Sequence, residues 1–267
     1  MTISRWIKDR EVTGYTTFSI DDVVAAFPLL DIQQIKNTLY RLAQSRDVAS
    51  VYKGFYVIIP PHYKKKGVVH PSYYINQLMR HLHKPYYVGL LNAAEIFGAA
   101  HQRPQTYTVV TTLPKASTSL VKNPILRWIY ITRIPEQLLI AKNSETSSVK
   151  YSCAELTALD LVQHASRAGG LSRAATVLAE LCETTDFGKL NNTFLESIKL
   201  PTFQRLGFIL DEILEQHDQA EKIHQFITST GRRLHYVKLS NKNPHLIPSP
   251  SRRWNINVNT QIELDDL

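Results

Sequence analysis

The chain has 267 residues, 43% of them apolar, which is enough for a sizeable core and predicts two domains rather than one. Its formal net charge of +8 and its pI near 9.4 favour a polyanionic partner. There is no run of 18 apolar residues and no apolar stretch typical of a signal peptide at the N-terminus, so we expect a cytoplasmic protein without membrane contact.

Two short helices separated by a turn are predicted within residues 18–44. Ser19 is a good N-cap with Asp22 three residues later, and Pro28 ends the first helix. Asp31 caps the second helix, whose apolar positions recur at spacings of three and four. These positions are Ile32, Ile35, Leu39 and Leu42. We therefore expect one buried face that begins at Ile32.

The opposite face of the second helix carries side chains that suit base edges. Arginine pairs with guanine, and asparagine or glutamine pairs with adenine, through two hydrogen bonds each. A solvated polar face is the alternative interpretation, although such faces favour Glu and Lys. The candidate DNA-binding residues of this helix are Gln33, Gln34, Lys36, Asn37, Tyr40, Arg41 and Gln44.

A β-hairpin is predicted directly after this helix. Residues 48–52 and 55–59 are rich in β-branched and aromatic side chains, and Lys53-Gly54 joins them. Gly54 accepts a positive φ, and Lys53 at the tip is suited to contact a phosphate. Helix, turn, helix and hairpin in this order predict a winged helix-turn-helix, a DNA-binding module.

A basic segment with prolines, residues 60–67, is predicted to be a linker. Its lysines Lys64, Lys65 and Lys66 either contact phosphate or solubilise a hinge. Residues 1–70 hold ten Lys or Arg against six Asp or Glu, so positive charge is denser there than in the rest of the chain. We expect a winged helix-turn-helix domain with its basic linker over residues 1–66, and a larger domain over residues 67–267.

The second domain alternates helical and strand patterns, which predicts an α+β fold. Ser152 to Glu155 fits a capping box, and Pro201 fits the first turn of a helix. Predicted helices cover residues 72–82, 88–97, 172–183 and 218–228, and predicted strands cover residues 107–112, 127–132, 234–239 and 254–259.

Motifs of catalysis are weak in this domain. Gly170-Leu171-Ser172 resembles a nucleophile elbow, but a helix rather than a strand is predicted before it. Glu155 and Asp160 would suit a Mg²⁺-dependent nuclease, yet a spacing of five turns them about 140° apart on a helix. The side chains of His81 and His83 likewise point to different sides of a predicted helix, which argues against a shared metal site. We expect no catalytic residue, no metal and no cofactor, and we expect free thiols at Cys153 and Cys182.

Five segments of the second domain, in order behind the predicted winged helix, resemble the AbiEi family of abortive-infection antitoxins. They are YVGLLNAA at residues 87–94, ELTALDL at 155–161, GGLS at 169–172, QRLGF at 204–208 and WNINVN at 254–259. The resemblance covers nearly the whole chain. The resemblance implies no set of catalytic residues, so we interpret Asp160 and Arg205 first as a buried ion pair.

The resemblance implies a non-enzymatic antitoxin of a type IV toxin-antitoxin system used in phage defence. Such a protein represses its own operon at an inverted repeat, with two copies on the DNA, and counteracts a nucleotidyltransferase-type toxin. Whether the two proteins form a complex stays open. Two alternatives are a plain repressor whose second domain senses a ligand or dimerises, and a metal-dependent nuclease.

Overall fold

The computed structural model describes residues 1–67, 69–99, 104–116, 125–240 and 249–264. The fold is α+β, as the sequence predicts, and the described residues form helices and three separate β-sheets. None of the helices in the described part of the chain combines the length and apolarity needed to cross a lipid bilayer.

The first 58 residues form three helices and a three-stranded antiparallel sheet in the strand order β1-β3-β2. The elements are α1 (Ile3–Val12), β1 (Thr17–Ser19), α2 (Ile20–Ala26), α3 (Ile32–Gln44), β2 (Val48–Tyr52) and β3 (Phe55–Ile58). The expected caps are confirmed, because Ser19 with Asp22 and Asp31 with Gln34 each form a capping box. Helix α1 and strand β1 were not predicted.

These six elements share one apolar core. Its buried members are Ile3, Ile7, Phe18, Val23, Ile35, Leu39, Val48 and Ile58. The core draws on all three helices and all three strands, so helix α3 is held against the sheet by its apolar face. Trp6 and Phe18 add an edge-to-face ring contact with centroids 5.7 Å apart.

A five-stranded sheet with the order β6-β5-β4-β8-β7 follows along the chain. The elements of this part are α4 (Ile75–His81), β4 (Tyr86–Val88), α5 (Leu91–Ile96), β5 (Thr106–Thr112), β6 (Ile125–Ile131), β7 (Leu139–Asn143) and β8 (Ser148–Ser152). Strands β5 and β6 pair in parallel from Thr106 opposite Ile125 to Thr112 opposite Ile131. The β-branched residues at the centre of β5 are buried on the pleat, as at Val109 and Val110.

The C-terminal part is mainly helical and ends in a small sheet with the order β10-β11-β9. A π-helical turn, Ile209–Ile213, follows α10 directly. The elements are α6 (Ala154–Gln163), α7 (Ala165–Ala168), α8 (Leu171–Leu181), α9 (Asn192–Ser197), α10 (Leu200–Phe208), α11 (His217–Ser229), β9 (Val237–Lys238), β10 (Ser249–Ser251) and β11 (Ile256–Val258).

The chain divides into two compact units. Unit 1 contains Met1–Tyr87, Pro104–Thr132 and Ala141–Lys150, and unit 2 contains the remainder, up to Leu267. Unit 1 continues beyond the expected boundary at residue 66. An independent fold for residues 1–66 therefore stays a prediction, which the shared core of α1 to β3 supports.

Several predicted boundaries differ from the structure for local reasons. The expected helix 72–82 is shorter because Pro71–Tyr73 forms a 3₁₀ turn before α4, and the expected helix 88–97 begins only after strand β4. The prediction of a capping box at Ser152 is wrong. Helix α6 has Cys153 as its N-cap, and the Ser152 hydroxyl instead bonds Thr157 Oγ1 at 2.7 Å.

Candidate functional site

Helix α3 is fixed at its start and along one side. The Asp31 carboxylate accepts from the Gln33 backbone N–H at 2.8 Å, and the Gln34 side chain accepts from the Asp31 N–H at 3.2 Å. Ile35 and Leu39 are completely buried in the core below. The helix therefore presents its opposite side in a defined orientation, which a groove-reading element requires.

All seven candidate residues of α3 lie at exposed positions, with Tyr40 the most prominent aromatic side chain at 67% exposure. Gln33 Nε2 donates to Asn37 Oδ1 at 3.1 Å, so these two amides form an ordered pair one turn apart. Gln34 differs from the others because its side-chain oxygen serves the helix cap. The seven residues are Gln33, Gln34, Lys36, Asn37, Tyr40, Arg41 and Gln44.

The Arg41 guanidinium lies along its own helix. Nε donates to the Asn37 carbonyl at 3.4 Å, and Nη2 donates to Thr38 Oγ1 at 3.3 Å. Both bonds are long and exposed, so they cost little to exchange for a base or a phosphate.

Ile32 is not part of the buried face, contrary to the expectation from helical spacing. It is 43% exposed, whereas Ile35 is completely buried. Ile32 is the first residue of α3, directly after the cap, and the core of α1 to β3 does not include it. Periodicity alone assigned three of the four apolar residues correctly to the packed side of α3. It failed for Ile32, at the N-terminal end of the helix.

The hairpin between β2 and β3 turns at Lys53-Gly54. Gly54 has φ of +72°, a left-handed conformation that favours glycine, and its carbonyl accepts from the Ile20 N–H at 2.8 Å. This bond fixes the turn to the start of α2. The Lys53 side chain is exposed at the tip.

The three lysines of the predicted linker are all exposed but are not equivalent. Lys64 Nζ pairs with Asp47 at 2.5 Å, and the Lys65 carbonyl accepts from Arg46 Nη1 at 2.9 Å. Burial raises the pKa of Asp47, but the hydrogen bonds from Lys64 and Ser45 lower it by more. The pKa of Asp47 is therefore lowered overall. The charge of Lys64 is thus partly neutralised, and the segment is bonded to the chain before it.

In unit 2, two of the motif segments, 204–208 and 254–259, meet around the buried indole of Trp254. Trp254 Nε1 donates to Asp211 Oδ2 at 2.9 Å, and Gln204 Nε2 donates to the Trp254 carbonyl at 2.9 Å. A Cβ on Gly207 would lie only 2.0 Å from the ring atom Cζ3. Glycine at position 207 is therefore required for the indole to occupy this place.

Asp211 has two further nitrogen neighbours. His217 Nδ1 lies 3.0 Å from Oδ1, and Arg253 Nη1 lies 3.2 Å from Oδ2. Burial raises the pKa of Asp211, but the hydrogen bonds from His217 and Trp254 and the charge of Arg253 outweigh it, so the pKa is lowered overall.

A cleft of about 240 Å³ in unit 2 contains residues from two of the motif segments. Gly169 and Gly170, with φ of +103° and +113°, bring the chain into α8, and the Ser172 hydroxyl accepts from the Glu263 N–H at 3.2 Å. Arg205 Nε donates to the Lys238 carbonyl at 2.9 Å, and burial lowers the Arg205 pKa. A pairing of Arg205 with Asp160 stays a prediction.

Residues 87–212 match the family described as the AbiEi antitoxin C-terminal domain. The chain therefore carries an AbiEi antitoxin C-terminal domain over these residues. The matched range contains four of the five motif segments, and Trp254 of the fifth contacts Gly207 inside it. The sequence resemblance is confirmed.

The fold of the chain is similar to that of a solved structure, the RV2827C protein from Mycobacterium tuberculosis. The TM-score is 0.65 and the sequence identity is 11%, over 95% of this chain and 89% of that chain. At this identity the likeness concerns the fold alone. No curated protein matches the chain.

The other residues considered for chemistry are distributed through the AbiEi domain. Glu155 lies 3.8 Å from Lys189 Nζ, and Asp160 is buried. Within the described ranges, no group of three His, Cys, Asp or Glu side chains is placed to hold a metal ion. Both thiols are free, and burial raises the pKa of Cys153 and of Cys182 to about 12.

Proposed function

We propose that this AbiEi antitoxin also binds operator DNA and represses its own operon, with α3 in the major groove. The single observation that carries the proposal is the exposed face of α3. It presents amide, guanidinium and phenol groups while Ile35 and Leu39 fix the other side in the core. These are side chains that recognise base edges.

The surrounding elements support this function. The order α1, β1, α2, α3, β2 and β3, with α3 after a short turn and a hairpin after α3, is the order expected of a winged helix-turn-helix. Lys53 at the hairpin tip, with Lys64, Lys65 and Lys66, supplies positive charge for phosphate contacts. A single α3 reads few base pairs, so two copies on an inverted repeat give the affinity that repression needs.

The AbiEi domain match supports an antitoxin role and favours this role over that of a plain repressor. We propose that the toxin it counteracts is of the nucleotidyltransferase type and that the antitoxin acts without catalysis of its own. A toxin-type gene beside this one would support the proposal, and its absence would favour a repressor that senses a ligand.

Electrophoretic mobility shifts with the promoter of its own gene test the DNA-binding function. Arg41→Ala or Asn37→Ala should weaken specific binding by about 1 to 3 kcal/mol and relax the preference at particular bases. Lys53→Ala should weaken binding to all sequences alike. It should also reduce the slope of log affinity against log salt concentration by about the amount that one phosphate contact contributes. Lys142→Ala, an exposed lysine on β7, is the matched control and should change neither.

Equal affinity of the unmodified protein for the promoter and for random DNA of the same length would refute specific binding. If Arg41→Ala weakened specific and random DNA equally, the assignment of α3 as the reading helix would be wrong, although general DNA binding would remain.

A further inference from the structure

Exposed apolar side chains are concentrated at the entrance to α3. Leu29 is 97% exposed, and Val24, Leu30 and Ile32 are each exposed by roughly two fifths of their surface. Single exposed apolar residues are common on proteins, but four within nine residues require an explanation. Core packing does not supply one, since none of the four belongs to the buried core cluster.

Ile32 shares a ridge of α3 with polar groups. Residues four apart lie above one another on a helix, so Ile32, Lys36 and Tyr40 form one exposed ridge. The hydrogen-bonded amides of Gln33 and Asn37 form the neighbouring ridge. An apolar side chain thus lies beside an ordered amide pair, with a lysine one turn further along.

The amide pair has a defined hydrogen-bonding pattern. Its internal bond uses one N–H of Gln33 and the side-chain oxygen of Asn37, so it leaves the Gln33 oxygen as acceptor and the Asn37 Nδ2 as donor. Adenine offers the complementary pair in the major groove, with N6–H as donor and N7 as acceptor. The thymine paired with it, or the next thymine, offers a C5-methyl group to an apolar side chain.

Charge favours DNA over a protein partner for this patch. Lys36 and Arg41 on the same helix, with Lys53 on the hairpin, are exposed cations, whereas the cores of protein interfaces are depleted of lysine. The combination of apolar, amide and cationic groups fits a base pair flanked by phosphates.

We propose that Ile32 contacts the C5-methyl group of a thymine in the major groove, while the Gln33–Asn37 amide pair binds an adenine beside it. The first turn of α3 then selects A·T pairs. This inference rests on the proposed DNA-binding function and names the part of the operator that this end of the helix reads.

Deoxyuridine tests the contact because it lacks only the methyl group of thymine. Duplexes that the full-length protein binds are first selected from a random pool, and each thymine is then replaced in turn. At one thymine in each half-site, the replacement should weaken binding about fourfold, the effect of one buried methyl group. In the Ile32→Ala protein, thymine and deoxyuridine should bind equally at that position.

Val12→Ala is the matched control, because Val12 is 86% exposed at the end of α1, and it should keep the fourfold difference. Ile32→Val, which retains a branched side chain, should keep part of it. Far-UV circular dichroism confirms that each variant is folded.

Each other outcome overturns the inference in a distinguishable way. If no duplex is enriched, the proposed DNA-binding function fails, and this inference fails with it. If duplexes are enriched but no replacement of thymine by deoxyuridine changes the affinity, DNA binding is supported and the proposed contact of Ile32 is refuted. The same conclusion follows if the effect of the replacement persists in the Ile32→Ala protein. If Ile32→Ala changes only the molar mass measured by light scattering, the patch is an interface between copies of the chain.

Discussion

Replacing Gly207 with alanine tests the packing that joins two of the motif segments. In an ordinary helix this change would stabilise by up to about 1 kcal/mol, because alanine has the higher helix propensity. Here the new Cβ would lie 2.0 Å from Cζ3 of Trp254, which is completely buried. The ring must move by roughly 1.5 Å to reach an ordinary contact distance.

Displacement of the indole adds two costs. Overpacking costs about 1 to 3 kcal/mol, and the bond from Trp254 Nε1 to the Asp211 carboxylate, 2.9 Å long, contributes about 1.5 to 3 kcal/mol. Against the gain in helix propensity, we expect a net loss of about 3 kcal/mol. For a protein of this size, that loss corresponds to a Tm lower by roughly 6 to 12 °C.

Thermal unfolding followed by near-UV circular dichroism measures this shift. The control is Trp254→Leu, which removes the ring atoms nearest Gly207. In that background Gly207→Ala should no longer destabilise, so the two substitutions should be strongly non-additive. An unchanged or raised Tm for Gly207→Ala alone, or additive effects in the double variant, would refute the reasoning.

Two further predictions concern pH and the division of labour. The pKa of Asp211 is lowered in the folded protein, so its contribution to stability is complete above its ordinary pKa of 3.8 and is lost as the pH falls through the folded value. Urea unfolding between pH 3 and 6 should therefore show a shallower acid decline for Asp211→Asn, and identical slopes would contradict this. A fragment of residues 1–66 keeps the core of α1 to β3 and should still bind operator, more weakly if the rest of the chain supports dimerisation or adds phosphate contacts. The fragment of residues 70–267 should rescue cells from the neighbouring toxin, as should full-length Arg41→Ala, and loss of rescue by folded protein in both cases would favour the plain repressor.

Local signals in the sequence predicted the DNA-binding candidate well. Caps and periodicity are properties of neighbouring residues, so Ser19, Asp31 and the turn at Gly54 were assigned correctly. Ile32 was not, because the burial of a terminal helix residue depends on which elements lie beside it in space. The first-turn surface of α3 could be found only from the fold.

Non-local pairing explains most of what the sequence did not predict. Strands β7 and β8 contain Lys142, Asn143 and Ser148, which have low strand propensity, and they are stabilised by neighbours in the sheet. The contact of Trp254 with Gly207 joins residues 47 positions apart. A glycine at position 207 is weak evidence by itself, and no spacing rule connects it to a distant tryptophan.

The match to the AbiEi domain and the proposed DNA specificity depend on different residues. Two of the motif segments are joined by packing: Gly207 admits the indole, Gln204 bonds the Trp254 carbonyl, and the neighbouring Asp211 accepts from the ring. Such residues specify the fold of the domain and do not select a DNA sequence. Base selection is assigned instead to exposed side chains of α3, which change at little cost to stability because surface substitutions are usually nearly neutral. Gly207→Ala should therefore lower stability and rescue together, whereas Arg41→Ala should alter DNA binding and leave both intact.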